Sequence, residues 1–406
     1  MRFDVHLRAG MRERLDLLAN QMRQWEVAPR MDEAEAARIL GAIRSFNHTT
    51  GPRDLVIAGA DGTGEFPALS YGDSFVHVAL AQATRYRADA VSGLKEDAPI
   101  SEPVVEFVWL PEEQTERTLR LDAAFAALAG NDIDTVIEGS DYRGIKARLS
   151  GRANTVTTLR EGLIRPHAAD AGNLAIQLRS TAELGATLRA LSEGKRLDYF
   201  LIDGTLSLPF VDRAENSLFH EHLKRLCCVE ARRRGIGLFA LSKSHGLPSI
   251  ETIEDLARQA LGLDRTAVAE HWYLRVPMSE LDGWDLSLTR GRRLPPPGAV
   301  TYLLRLHRTV PVLRLDMDVE YWKQRIRGAT EDETRANERR VFENLDYASH
   351  DQRCYGYPYP VKAAHDRASL TRPERVALRK QIVDAAVRAG MKRSLFRDAA
   401  IATGHE

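Results

Sequence analysis

Cysteine is scarce in this sequence, long apolar runs are absent, and neither sign of charge is in excess. Three cysteines, Cys227, Cys228 and Cys354, cannot make a disulfide framework. Two of them are adjacent and point in different directions on a helical stretch, so they are a poor metal pair; a reducing cytoplasm is the expected compartment. No segment approaches the roughly 18 apolar residues that a membrane span needs. The N-terminal MRFDVHLRAG carries no apolar run of the signal-peptide kind. Lys plus Arg and Asp plus Glu both number 57, a net charge of zero. That argues against a chain that coats nucleic acid by bulk charge, and leaves room for a local patch. No GxxxxGK[ST] segment is present, so the chain is not expected to hydrolyse ATP itself. CxxC pairs and clustered histidines of the zinc type are missing too. His220 and His222 stand two apart on a predicted helix and face different sides, unlike the pair in HExxH. There is no solenoid-length repeat and no low-complexity tract.

What remains is ordinary globular material. The chain is 406 residues long, with 44% hydrophobic and 28% charged residues, enough for two or three domains or one large domain with insertions. Residues 11–27 set Leu15, Leu18, Met22 and Trp25 at helical spacing, and residues 32–46 do the same with Ala36, Ile39, Ile43 and Phe46. These two predicted helices form an N-terminal arm over residues 1–50, whose apolar faces need cover from the main domain or a second copy of the chain. Apolar runs at Leu55–Ala60, Phe75–Val78 and 103–110 read as strands. Residues 111–175 form an elaboration with a helical stretch near 119–129, a short run Thr135–Ile137 and a polar, Arg-rich segment around 143–161. Beyond it come a helix at 180–193, a buried strand at Asp198–Ile202, a helix at 215–234 and a strand at Ile236–Leu241. Arg232, Arg233, Arg234 and Gly235 suit that helix's C-terminus. Strand–helix–strand predicts a βαβ unit and a partly parallel sheet. RRLPPPG at 292–298 is a rigid break, followed by two strands at Ala299–Leu306 and Val310–Leu315. Thr371, Pro373 and Glu374 open a C-terminal helix with capping-box chemistry, in a segment 369–406. That helix is expected to carry an apolar stripe that needs covering, as the N-terminal arm does. The fold class is α/β, a mixed sheet flanked by helices.

Two segments share one design. Residues 55–63 read LVIAGADGT and residues 199–205 read YFLIDGT. Each is an apolar strand running into Asp-Gly-Thr, with a glycine that allows a sharp turn just after the acid. If both strands end on one rim, Asp61 and Asp203 lie close together. Carboxylates that close repel unless a divalent cation sits between them. Such a site suits phosphodiester hydrolysis, in which the ion activates water and offsets charge developing on the phosphate. The plainer reading is a turn, since Asp-Gly is a common turn signal. Glu138, in VIEGS, follows an apolar run and precedes a glycine. Lys243, in LSKSH, follows a strand and suits a phosphate oxygen as a point charge, or is a surface lysine. Asp316 and Asp318, in LDMD, share a strand face and read as structural. Two basic runs, Arg290, Arg292 and Arg293, then Lys323, Arg325 and Arg327, either line a groove for a phosphate backbone or are solvated surface. In the second, Trp322 or Tyr321 is placed to stack on a base.

The segments GADGTG, LIDGTLSLPF, FALSKSHGLP and YGYPYPVKAAHDRAS, in that order across most of the chain, resemble the NurA nuclease family. The resemblance implies an RNase H-like core, here over residues 51–368. It implies a manganese-dependent nuclease, with magnesium as the alternative ion. The activities implied are 5'-3' exonuclease and single-strand endonuclease cleavage of DNA, in repair or in defence against phage. It further implies a homodimer and a hexameric HerA-type ATPase as partner. Asp61 and Asp203 match the family's first and second acids. A family glutamate about 20 residues before the second acid matches Glu183, with Glu138 as its rival. His365 matches the histidine of a C-terminal AH motif and would complete a carboxylate-rich metal shell; Asp366 beside it could orient a ring. Tyr357 matches a family tyrosine that would contact the scissile phosphate or position water, although YPYP serves equally as a rigid turn. The expected metal set is Asp61, Glu183, Asp203 and His365, and Lys243 and Tyr357 complete the catalytic set. The alternative is a catalytically inactive adaptor of the same fold that docks an ATPase. Such an adaptor would be free to lose Asp61 or Asp203, and both are present. A carboxylate-based glycosidase or phosphatase would not require the lysine and the histidine in this order.

Overall fold

The computed structural model describes residues 5–397, apart from 26–30, 52, 65–67, 72–73, 90–92, 98–100, 112–113, 143–170, 207–218, 244–249 and 288–297. The strands are β1 (Arg44–Ser45), β2 (Val56–Thr63), β3 (Leu69–Tyr71), β4 (Ser74–Asp89), β5 (Gly93–Glu96), β6 (Val104–Trp109), β7 (Tyr199–Asp203), β8 (Gly237–Ser242), β9 (Trp272–Arg275), β10 (Ala299–Arg305), β11 (Leu313–Asp318), β12 (His350–Asp351), β13 (Cys354–Tyr355) and β14 (Phe396–Arg397). The main helices are α1 (Val5–Trp25), α2 (Glu33–Ala42), α3 (Gln114–Ala129), α4 (Ile133–Gly139), α5 (Ala171–Ser192), α6 (Phe219–Arg233), α7 (Ile250–Ala260), α8 (Glu331–Ala348), α9 (Tyr359–Ala368) and α10 (Arg372–Arg388).

Twelve strands join one mixed sheet in the order β1-β9-β10-β11-β8-β7-β2-β4-β3-β14, with β5 and β6 also on β4. The neighbours β2, β7 and β8 run parallel, and the other pairings are antiparallel. The unit β7–α6–β8 is the expected βαβ crossover. Both faces of these central strands are covered, which is why they read as continuous apolar runs. Ala58, Ala60, Phe200, Ile202, Leu238 and Ala240 face a core filled by α3 to α6. Leu55, Ile57, Tyr199, Leu201, Phe239 and Leu241 face a second core with α8 and α9.

Several expectations shift. The strand at Phe75–Val78 is the opening of a 16-residue strand. The run Thr135–Ile137 lies in helix α4, because Asp132 caps that helix by accepting the Thr135 N–H at 2.8 Å. The helix expected at 180–193 begins nine residues earlier, at Ala171. Only the first half of the N-terminal arm stands apart. Ile39 and Ile43 pack with Ile253, Leu256 and Trp272 in a third core, and β1 extends the sheet at β9. The described part of α1 exposes Met11, Leu15, Leu18 and Met22. The capping box of Thr371 and Glu374 is present, and α10 buries none of its residues. Among the described residues no helix is long and apolar enough to cross a membrane. The Arg-rich stretch 143–161 lies outside the described residues.

Candidate active site

The parallel register of β2 and β7 ends on the pair Ala60↔Ile202. Asp61 and Asp203 are each the next residue. They lie side by side at one strand spacing, about 4.8 Å, on the sheet face that α9 covers. Lys243, one residue past β8, continues the same alternation from Phe239 and Leu241. The two Asp-Gly-Thr segments then behave differently. Gly204 has φ 135° and turns the chain out of β7 as expected. At Gly62 the expected turn is missing: β2 runs on to Thr63, paired with β4 through Gly62↔Ala81 and Thr63↔Leu80. Gly62 instead provides room. A Cβ there would lie 3.2 Å from the Leu80 carbonyl oxygen and 3.3 Å from that of Arg179, so the glycine lets α5 come down onto the strand.

That approach delivers Glu183. Its side chain is buried, and its carboxyl is held well above the usual range by desolvation first and by the Asp61 charge second, with Asp203 adding and Arg179 opposing. Asp203 is also raised. Desolvation is again the largest cause, Asp61 adds to it, and Lys243, Arg179 and His365 pull the other way. Asp203 lies at the exposed end of its strand. The rival Glu138 is exposed on α4.

The helix α9 brings the imidazole. It seats its first turn on β2 over Gly59, where a Cβ would come within 2.7 Å of the Val361 nitrogen. The Thr84 hydroxyl donates to the Pro360 carbonyl at 2.7 Å and fixes the same turn. His365 Nδ1 then lies 2.6 Å from Asp61 Oδ2, and its Nε2 lies 3.3 Å from Ser369 Oγ. The other Asp61 oxygen accepts the Gly62 N–H at 2.8 Å. Tyr357 is buried and its hydroxyl has no hydrogen-bond partner. Burial first, then Asp203, Asp61 and Glu183, push its ionisation far up, so the phenol stays neutral. The Lys243 ammonium sits 3.9 Å from the centre of the Tyr357 ring.

All six residues expected from the sequence therefore converge on one rim. Arg179 belongs with them and was not foreseen. It lies one helical turn before Glu183, so an Arg-x-x-x-Glu spacing was its only signal, and the helix expected at 180–193 began one residue too late to include it. The donor set suits a divalent cation. Three neighbouring carboxylates, an imidazole, and a buried hydroxyl without a partner match what a hard ion accepts.

The remaining candidates separate cleanly. Asp316 accepts from Thr205 Oγ1 at 2.7 Å, Thr301 Oγ1 at 2.8 Å and two Arg314 nitrogens at 2.9 and 2.7 Å. Asp318 accepts from Arg225 at 2.8 Å and Arg232 at 2.6 Å. Both are structural, as expected; through Thr205, Asp316 also anchors the loop that follows Asp203. His222 contacts Ser140 Oγ at 2.8 Å in the interior. The stacking role considered for Trp322 and Tyr321 is corrected. Both are buried, and the Trp322 indole donates to the Tyr302 hydroxyl at 2.7 Å. Lys323 pairs with Glu320 at 2.9 Å. Arg290, Arg292 and Arg293 lie outside the described residues.

The NurA domain family matches residues 171–370. Similar solved structures include the NurA nuclease from Sulfolobus solfataricus, at 12% identity and TM-score 0.44 over 96% of this chain and 99% of that one. A NurA bound to dAMP and manganese matches at 11% identity and TM-score 0.37 over 96% of this chain and 98% of that one. An endonuclease V from Streptomyces avermitilis matches at 11% identity and TM-score 0.31, over 88% and 96%. No curated protein sequence matches.

Proposed function

This chain belongs to the NurA domain family, and from that premise we propose that it is a metal-dependent nuclease that hydrolyses phosphodiester bonds in DNA. The observation that carries the reading is the placement of Asp61 and Asp203 as neighbours on two parallel strands, with Glu183 and His365 against them. Asp61, Glu183, Asp203 and His365 would hold the ion. Manganese, found in related NurA structures, is the proposed one, with magnesium as the alternative. When bound, such an ion polarises the phosphate and makes water a better nucleophile.

The chain's own residues supply the rest. His365, held through Nδ1 by Asp61, presents its imidazole at a fixed angle. Lys243 offers a compact positive charge to a non-bridging phosphate oxygen. Tyr357, kept neutral, is a hydrogen-bond donor for the phosphate or for the attacking water. Arg179 tempers the repulsion among the three acids. The proposed activities are 5'-3' exonuclease and single-strand endonuclease cleavage, in DNA repair or phage defence. A homodimer formed through α1, a HerA-type hexameric ATPase as partner and a cytoplasmic setting complete the proposal. Residues 51–368 would form the nuclease domain, flanked by 1–50 and 369–406. An inactive adaptor remains the other reading, but no observation favours it, because the acid set is intact. The test is incubation of the purified chain with end-labelled DNA and manganese, then with excess chelator. Cleavage that continues in chelator would overturn the reading.

A further inference from the structure

A second group of metal-binding side chains lies outside the acid site. It joins His48, three residues past β1, His271, just before β9, Asp346, in the last turn of α8, and His350, which opens β12. One ligand atom from each lies within 4.8 Å of the other three. Asp346 is completely buried, and three imidazoles crowd its carboxylate. His48 Nδ1 lies 2.7 Å from Oδ2, His350 Nδ1 lies 3.2 Å from Oδ1, and His271 Nε2 lies 3.5 Å from Oδ1. The ring centres of His48 are 4.0 Å from those of His350 and 5.3 Å from those of His271.

Hydrogen bonding does not account for this arrangement. His48 bonds to Oδ2, and His350 Nδ1 is engaged by the Asp346 main-chain carbonyl at 2.9 Å. Asp346 Oδ1 and His271 Nε2 are buried and have no hydrogen-bond partner. Leaving such groups unsatisfied is costly. Nor can a single carboxylate offset the charge of three protonated rings at these separations. His271 adds a second, independent sign. It is the one non-glycine with positive φ, at 58°, among the described residues. Backbone strain of this kind persists where the surroundings over-determine it, and it clusters at functional sites. A cation resolves each point. It takes lone pairs from neutral imidazoles and from the free carboxylate oxygen. With metal–ligand bonds near 2.0–2.1 Å, tetrahedral donors stand about 3.3 Å apart, in line with the 3.5 Å between His271 Nε2 and Asp346 Oδ1; His350, whose Nδ1–H donates to the Asp346 main-chain carbonyl, would offer Nε2.

We propose that His48, His271, Asp346 and His350 form a second, structural metal centre that takes zinc. Three imidazoles and one carboxylate suit zinc better than the hard ions that a three-carboxylate site prefers. The centre ties the segment entering β2 and the turn entering β9 to the end of α8. It also anchors the base of the β12–β13 hairpin, where the Gly356 N–H donates to the Ser349 carbonyl at 2.6 Å, and Tyr357 follows directly. Its chemistry does not depend on the nuclease reading.

The test uses the full chain with Asp61→Ala and Asp203→Ala, so that the acid site does not compete. The chain is stripped with chelator, dialysed, and titrated with zinc and then with cobalt as a spectroscopic probe. One equivalent of zinc and the intense visible bands of tetrahedral cobalt are expected. His48→Gln and His350→Gln should each weaken binding by more than about 100-fold, beyond the cost of losing a supporting hydrogen bond. His48 lies at the solvent edge, so its replacement is readable even if the His350 variant does not fold. No bound equivalent, a weak octahedral cobalt spectrum, or wild-type binding by the His48 variant overturns the proposal.

Discussion

Glu183 sets stability against use. Its folded-state carboxyl is raised far above the ordinary value by burial and by Asp61. The folded chain therefore holds a proton there that the unfolded chain releases. The sign follows: stability is full below the unfolded value, near 4.5, and drains as pH rises toward the folded value. Glu183→Gln removes the titration. In chelator the variant should melt at a higher temperature than wild type at neutral pH, with a flatter pH dependence. With manganese it should cleave more than ~100-fold more slowly, the scale of a lost electrostatic contact at a reacting centre. A variant that melts lower in chelator, or cleaves normally, would remove Glu183 from the site. Asp61→Ala and Asp203→Ala should each abolish cleavage and leave the far-ultraviolet circular dichroism unchanged; full activity in either counts against the metal site. At this scale the sequence was legible where a pattern repeats. Asp61 and Asp203 share one local motif, and Glu183 was expected from the spacing to the second acid that the NurA resemblance implies. The imidazole cluster left no comparable trace. Its members lie between positions 48 and 350, and its one local part, Asp346-x-x-x-His350, looks like an ordinary helix pair.

Among the elements, α6 shows both what apolar periodicity reveals and what it hides. Its ends were legible from the arginine run and from Gly235, whose φ of 71° closes the helix. Its charged interior was not, because charged residues are expected outside. Arg225 and Arg232 are held by Asp141 and Asp318, and Glu221 by Lys224 at 2.9 and 3.0 Å. Burial by itself would push Glu221 up, but Lys224 and His220 outweigh it and hold the carboxyl at about 2. A depressed carboxyl stabilises the fold above its unfolded value, near 4.5, and that contribution is lost as pH falls through about 2. Glu221→Gln should therefore flatten the loss of stability between those two values in a series of urea titrations, and lower stability at neutral pH by leaving Lys224 unpaired. An unchanged acid limb would show that the pair contributes nothing. Other elements were hidden for different reasons. Most of β4 was missed because alanine, glutamine and arginine carry little strand preference, and the strand is held by pairing along both edges. In α4 the reverse occurred, and one aspartate cap outweighed a β-branched run.

For the whole molecule the question is what a neutral chain can engage by itself. Met11, Leu15, Leu18 and Met22 are exposed at helical spacing on α1, an apolar stripe that a second copy of the chain would cover. Light scattering should give a dimer at micromolar concentration, and Leu15→Glu with Leu18→Glu should give a monomer; a wild-type monomer would dispose of the stripe as an interface. The net charge of zero supplies no long-range attraction to DNA, and the sequence contains no nucleotide-binding loop to drive movement along it. On the proposed reading, such a nuclease would engage duplex poorly and take single strands at the acids that end β2 and β7. Opening and feeding duplex then falls to a separate motor, for which the proposed HerA-type ATPase is the candidate. Short single strands should be cut by this chain alone, whereas continuous digestion of kilobase duplex should require the ATPase together with ATP hydrolysis. The measurement is duplex digestion at fixed salt with the chain alone, with the ATPase and ATP, and with the ATPase and a non-hydrolysable analogue. Equal product lengths in all three reactions would show that this chain processes duplex unaided, and the motor would have no part in its mechanism.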